Sequence, residues 1–299
     1  MPDPSVIFRL LTEAAPLAMK WSGSLCHTDA NGRSCAGYHG LRPYWRLLDL
    51  VTSPSHHVYY TERLRQFASS DTVRRVLISG CADQDQLMHV VHVCREMGVE
   101  PAVTVVDRCH TPLELCRWYA QREGVSLTTV CTDIKAYRPD ERFDVICTHS
   151  FLSWFPPRDR RLVLESWYDA LRPGGVAVTV NRIRRPSGGG DPLSPLPYDE
   201  RETDAFCALV AERAAAIQDS IDATPAELAD LARQYRESSS TFGIRSQPAF
   251  EQDFLDAGFE VEISGLEPPQ RREWRREREL PGGIRYVGVA ARRPVRTTG

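Results

Sequence analysis

Three short apolar runs end in residues able to do chemistry. Val76-Leu77-Ile78 leads into Ser79-Gly80-Cys81-Ala82, Ala102–Val106 into Asp107-Arg108, and Leu127–Cys131 into Thr132-Asp133-Ile134. A glycine at such a point adopts backbone angles closed to other residues and lets a ligand reach the main chain. Asp107 can accept from both hydroxyls of a ribose, and Asp133 from an exocyclic adenine amine while Ile134 packs on the ring. Each signal alone is weak, because an acid after a strand is commonly a solvated terminus. Turn-glycine, Asp and Asp on three successive strand ends together describe a nucleoside-binding crevice. A pyrophosphate would need closely spaced glycine amides at a helix N-terminus. Here Cys81, Ala82 and Gln84 stand where further glycines would be, which favours a phosphate-free nucleoside over a dinucleotide.

A second group of residues could handle an acceptor. His149 follows a strand and titrates near neutral pH, which suits a general base, although a structural hydrogen bond is an equal alternative. Trp154 and Phe155, just beyond, suit either substrate contact or core packing. The polar blocks Trp21–Asp29 and Ser34–Gly40 resemble an active-site lid, within which Tyr38 or His39 could orient a nucleophile or take its proton. Arg245 is available to an acceptor carboxylate, or is surface charge. Cys26, His27, Cys35 and His39 could be drawn as a zinc site. Their spacing fits no familiar ligand pattern, so no metal is expected.

Regular elements must position these groups. Strand patterns fall at Arg75–Ser79, Ala102–Val106, Leu127–Cys131, Phe143–Thr148 and Val176–Asn181, alternating with helical periodicity over Gln84–Met97, Thr111–Arg122 and Arg158–Leu171. That alternation is the mark of βαβ units and a largely parallel sheet, whose ligands collect at the carboxyl ends of the strands. The glycine-rich stretch Pro186–Pro192 predicts a surface loop, and Asp199–Tyr235 one or two helices, with Thr224 capping Pro225-Ala226-Glu227. Pro248–Ala257 follows as helix, then Phe259–Ser264 and Ile284–Ala291 as strands. Before the sheet, helices are expected at Val6–Ala15 and Tyr44–Val51 with a polar loop between them. The Arg271–Arg278 run, interleaved with Glu, predicts a solvated face. The organisation expected is a helical cap or lid over 1–70, a binding core over 71–185, a loop and helical insertion over 186–246, and the rest of the core over 247–299.

These strand ends resemble class I S-adenosylmethionine-dependent methyltransferases. Phe143–Ser150 is similar to the family's fourth motif, and Leu171-Arg172-Pro173-Gly174-Gly175 to its turn before a strand. The resemblance implies a doubly wound α/β fold with a mostly parallel seven-stranded sheet whose last strand is antiparallel. It assigns Ser79, Gly80, Cys81 and Ala82 to the methionyl part of S-adenosyl-L-methionine, Asp107 to the ribose and Asp133 to adenine; Arg108, Ile134 and Thr148 complete the expected cofactor set. The function implied is N-, O- or C-methylation of a small metabolite. Two alternatives stay open. The donor itself could be the substrate, as in azetidine-2-carboxylate synthases that release methylthioadenosine, or the domain could be a non-catalytic binding module.

The 299 residues are 42% hydrophobic, enough for one large domain and an appendage, and the net charge of −3 gives no reason to expect a nucleic-acid or anionic-membrane partner. No run is long and apolar enough for a membrane span. Cys94, Cys116, Cys131 and Cys147 lie in apolar runs and are expected as buried thiols, so a cytoplasmic monomer or homodimer is expected.

Overall fold

The computed structural model describes residues 4–29, 32–51, 56–68, 75–183, 195–196, 200–239, 241–244, 246–266 and 285–295. Strands β1 (Arg75–Ser79), β2 (Ala102–Asp107), β3 (Leu127–Cys131), β4 (Phe143–His149), β5 (Leu171–Ile183), β6 (Glu260–Leu266) and β7 (Arg285–Arg292) form one sheet in the order β3-β2-β1-β4-β5-β7-β6. Neighbours from β3 across to β5 pair in parallel, and β7 runs antiparallel to both β5 and β6. This is the doubly wound seven-stranded sheet that the family resemblance implied.

Among the described residues, α1 (Pro4–Leu25), α2 (Ala36–Leu47) and α3 (His57–Ala68) precede the sheet. Helices α4 (Asp85–Glu96), α5 (His110–Glu123) and α6 (Pro157–Ala170) connect its parallel strands, and α7 (Glu200–Ala216), α8 (Pro225–Ser238) and α9 (Gln247–Asp256) lie between β5 and β6. Strand side chains alternate between faces, and β1 shows the effect. Val76 and Ile78 join the cluster containing Leu87, Val90 and Val91 of α4, whereas Leu77 joins Val163, Leu164 and Trp167 of α6. With helices on both faces, an uninterrupted apolar run is what burial demands. The order reverses at β1 and β4, so the crevice opens beyond their carboxyl ends.

The cap departs most from expectation. Helix α1 continues through Pro16 to Leu25, α2 begins at Ala36, and α3 was not foreseen. Gly37 and Gly40, taken as loop residues, are packing residues within α2. A Cβ on Gly37 would stand 2.5 Å from the Tyr235 nitrogen and 2.8 Å from the Leu231 carbonyl oxygen of α8, and one on Gly40 would stand 2.6 Å from Ser22 Oγ of α1. Their bare backbones let three helices cross closely.

Helix α8 starts as expected. Thr224 accepts from the Glu227 amide at 3.2 Å and its own amide donates to Glu227 Oε2 at 2.8 Å, a complete capping box. The turn at Leu171–Gly175 shifts the register at the head of β5: Phe143 pairs with Leu171, and Val145 already pairs with Val176. Cys94, Cys116 and Cys147 are buried, but Cys131 is exposed, because β3 is an edge strand covered on fewer sides. The Pro186–Pro192 loop, Arg245 and the Arg271–Arg278 run lie outside the described residues.

Candidate functional site

A cleft of about 830 Å³ opens over the carboxyl ends of β1, β2, β3 and β4. Its floor includes Gly80, Cys81, Ala82, Asp107, Arg108, Asp133 and Ile134, so most of the residues singled out at the three strand ends do converge. Asp107 Oδ2 accepts from the Cys81 amide at 2.9 Å and Oδ1 from the Cys109 amide at 2.8 Å, tying the loops after β1 and β2 together. Burial pushes the Asp107 carboxyl above its ordinary value, although nearby His39 and the two amides oppose the shift. Asp133 caps the short 3₁₀ turn Ile134–Ala136 by accepting from the Lys135 amide at 3.0 Å.

Two residues of the expected cofactor set face elsewhere. Ser79 is fully buried and its Oγ accepts from Trp167 Nε1 at 2.9 Å. Thr148 is also buried, and its carbonyl accepts from Tyr60 Oη at 2.5 Å. Neither borders the cleft; strand periodicity turns both side chains into the core. Gly80 has φ +73°, and its amide donates to the Val106 carbonyl at 2.8 Å. The space its missing Cβ leaves is filled by the Phe151 ring, 2.2 Å from where that Cβ would be. Gln84, buried at the N-cap of α4, begins that helix.

Helices α2 and α8 form the opposite wall. Tyr38 lies 5.6 Å, ring centroid to centroid, from both Trp154 and Tyr235, with Trp45 against Tyr235 at 4.9 Å. Ser239, Thr241 and Phe242, just after α8, extend this wall. Burial raises the Tyr38 phenol, so it stays protonated at neutral pH. His39 Nδ1 is bonded to the Ala82 carbonyl at 2.9 Å, which joins α2 to the β1 loop. A second, buried link reinforces it: Arg46 Nη2 lies 2.8 Å from Asp83 and 3.3 Å from Asp85. Sequence reasoning missed this pair, whose partners are far apart in the chain. Arg42 and Arg182 also line the cleft, and neither has a carboxylate partner among the described residues.

His149 sits at the cleft with Nδ1 3.2 Å from Tyr60 Oη. That hydroxyl gives its proton to Thr148 and also accepts from the Val180 amide at 3.0 Å. Nδ1 of His149 therefore carries the hydrogen, and Nε2 keeps its lone pair. Burial, then the positive neighbours His56, Arg42 and Arg46, hold this imidazole well below its ordinary value, so it is neutral. The adjoining Ser150 has φ +51°, a left-handed conformation uncommon for serine and concentrated at functional sites.

Cys26, Cys35 and Cys109 meet at the rim, with Cys109 Sγ 3.4 Å from Cys26 Sγ and 3.6 Å from Cys35 Sγ. The last of these comes from the loop after β2, a placement the local spacing of the N-terminal block does not encode. His27 is exposed at the same rim.

This strand order, with an acid-lined crevice at the switch point, coincides with a match of residues 76–175 to the family model described as a methyltransferase domain. Residues 76–175 thus match a methyltransferase domain. Around this methyltransferase domain the chain is 26% identical over 127 residues to a carboxy-S-adenosyl-L-methionine synthase of Aliivibrio salmonicida, covering 42% of this chain and 50% of that protein. A carboxy-S-adenosyl-L-methionine synthase of Aliivibrio fischeri is 23% identical over 163 residues, covering 54% and 62%. The chain thus spans about half the length of the first of these curated relatives. Among solved structures, a Burkholderia thailandensis 1,6-didemethyltoxoflavin-N1-methyltransferase shares the fold at 16% identity and TM-score 0.52, covering 87% of this chain and 85% of that one. Phosphoethanolamine N-methyltransferase 2 of Haemonchus contortus does so at 14% and 0.53, covering 86% and 58%. No helix among the described residues is long and apolar enough to cross a membrane.

Proposed function

We propose that this chain binds S-adenosylmethionine and transfers its methyl group to a small metabolite carrying an anionic group. The observation that carries the reading is the convergence of Gly80, Asp107 and Asp133 on one cleft beneath the wall formed by α2 and α8. The residues present suit a phosphate-free nucleoside. Asp107 is already fixed by two amides and keeps lone pairs for ribose hydroxyls, and Asp133 stands beside the apolar Ile134 for adenine. S-adenosylmethionine supplies a methyl group on a sulfonium leaving group. The protein's part is then alignment, water exclusion and proton removal. Arg42 and Arg182 orient the anionic acceptor, Trp154 and Tyr38 pack against its body, and His149 Nε2 takes its proton. His39, bonded to the loop at Ala82, is a positioning residue. Arg245 keeps its proposed place as a further acceptor contact.

The likeness to carboxy-S-adenosyl-L-methionine synthases favours one second reading, in which S-adenosylmethionine is itself the molecule modified. Calorimetry of the purified protein with S-adenosylmethionine, followed by mass spectrometry of nucleoside products with and without carboxylate acceptors, separates these cases. S-adenosylhomocysteine formed only with an acceptor supports methyl transfer. A modified nucleoside formed without one supports the second reading, and no binding overturns both.

A further inference from the structure

We propose that Cys26, Cys35 and Cys109 form a binding site for one zinc ion, with His39 as the fourth ligand, clasping the lid to the loop that carries Asp107. The ligand atoms of the three cysteines lie within 4.8 Å of one another. With Zn–S bonds of about 2.3 Å, adjacent sulfurs of a tetrahedral site stand about 3.8 Å apart. The observed separations of 3.4 and 3.6 Å need only a small expansion to admit the ion. A disulfide would use two of these sulfurs and leave the third without a role.

The elements around the sulfurs are built to hold them. Cys26 and Cys35 flank an antiparallel bridge between Thr28 and Ser34, inside which the Asp29 amide donates to the Arg33 carbonyl at 2.8 Å. This small loop presents both thiols on one side. Cys109 is the N-cap of the fourteen-residue helix α5, whose first amides favour negative charge on sulfur. His39 neighbours Cys35 and Cys109 but stands just outside the tight group of three sulfurs, so its ring would have to close on the ion as it binds. Its Nδ1 is committed to the Ala82 carbonyl, the outer contact that characteristically orients a metal-bound imidazole and frees the other nitrogen for the ion. Binding displaces the thiol protons to solvent and leaves the metal's oxidation state unchanged.

The site joins chain segments more than seventy residues apart, and the Cys109 amide also donates to Asp107. The ion would thereby hold the lid against the proposed ribose site.

The test uses the full chain, purified under reducing conditions. Elemental analysis should find about one zinc per chain. Cobalt(II) added to the metal-stripped protein should give the intense visible bands of tetrahedral thiolate coordination. Cys26→Ser, Cys35→Ser and Cys109→Ser should each lower zinc affinity at least ~10-fold, with Cys131→Ser, at an exposed thiol outside the cluster, retaining it. Circular dichroism identifies any variant that has not folded, and for such a variant the wild-type cobalt titration decides. A reduced wild-type protein that takes up neither metal overturns the site, as does zinc retained by the folded triple-serine variant. Loss of metal in His39→Ala without loss of fold supports the fourth ligand; unchanged affinity removes His39 from the set.

Discussion

Asp107 accepts amide hydrogen bonds from two loops while its carboxylate still borders the cleft. Replacing it therefore acts on ligand and loop together. Asp107→Ala should weaken S-adenosylmethionine binding by about 1–3 kcal/mol, roughly 5- to 150-fold, from the lost charged acceptor. Isothermal titration of variant and wild type measures this, and an unchanged affinity would remove the ribose assignment. Gly80, Asp107 and Asp133 were legible in the sequence because a strand end is a position that apolar runs mark directly. Phe151 over Gly80, and Tyr60 beside His149, were not, since each meets its partner from some seventy to ninety residues away. Ser79 and Thr148 show the opposite error. Lying within the right motif, they still point into the core.

At the scale of elements, the sheet was legible and the cap was not. Strands buried on both faces show as continuous apolar runs, whereas α2 carries Gly37, Gly40 and several polar side chains, a composition that also describes a loop. Its glycines are there for the neighbouring helices. Gly37→Ala would drive a Cβ into the backbone of α8 and should cost about 1–3 kcal/mol, read as a lower urea midpoint. Gly23→Ala in α1 is the matched control. Nothing lies within 4 Å of its added methyl, so helix propensity alone should raise stability by a few tenths to about 1 kcal/mol. Equal effects at the two positions would mean that the α2–α8 crossing is not held closely in solution.

For the whole molecule, two histidines, His89 and His149, contribute to the response to acid. Burial is the largest cause holding His89 at about 3 and His149 well below its ordinary value. Both are neutral when folded, while in the unfolded chain each takes up a proton near pH 6.5. Because the folded values are depressed, full stability is present above about pH 6.5 and falls on acidification, each histidine contributing a slope of about 1.4 kcal/mol per pH unit. For His89 the loss continues until about pH 3. Urea midpoints measured from neutral pH down to about pH 5 should decline, and His89→Gln should flatten the decline; a midpoint independent of pH in the wild type would contradict the neutral assignment. The close crossing of α2 and α8 has a consequence for how the protein is made. During synthesis α2 emerges early, with Tyr38 and Trp45 awaiting the Tyr235 ring that arrives almost two hundred residues later on α8. The wall of the cleft is thus finished late in translation, and the nascent chain must keep those aromatic surfaces from other partners until then.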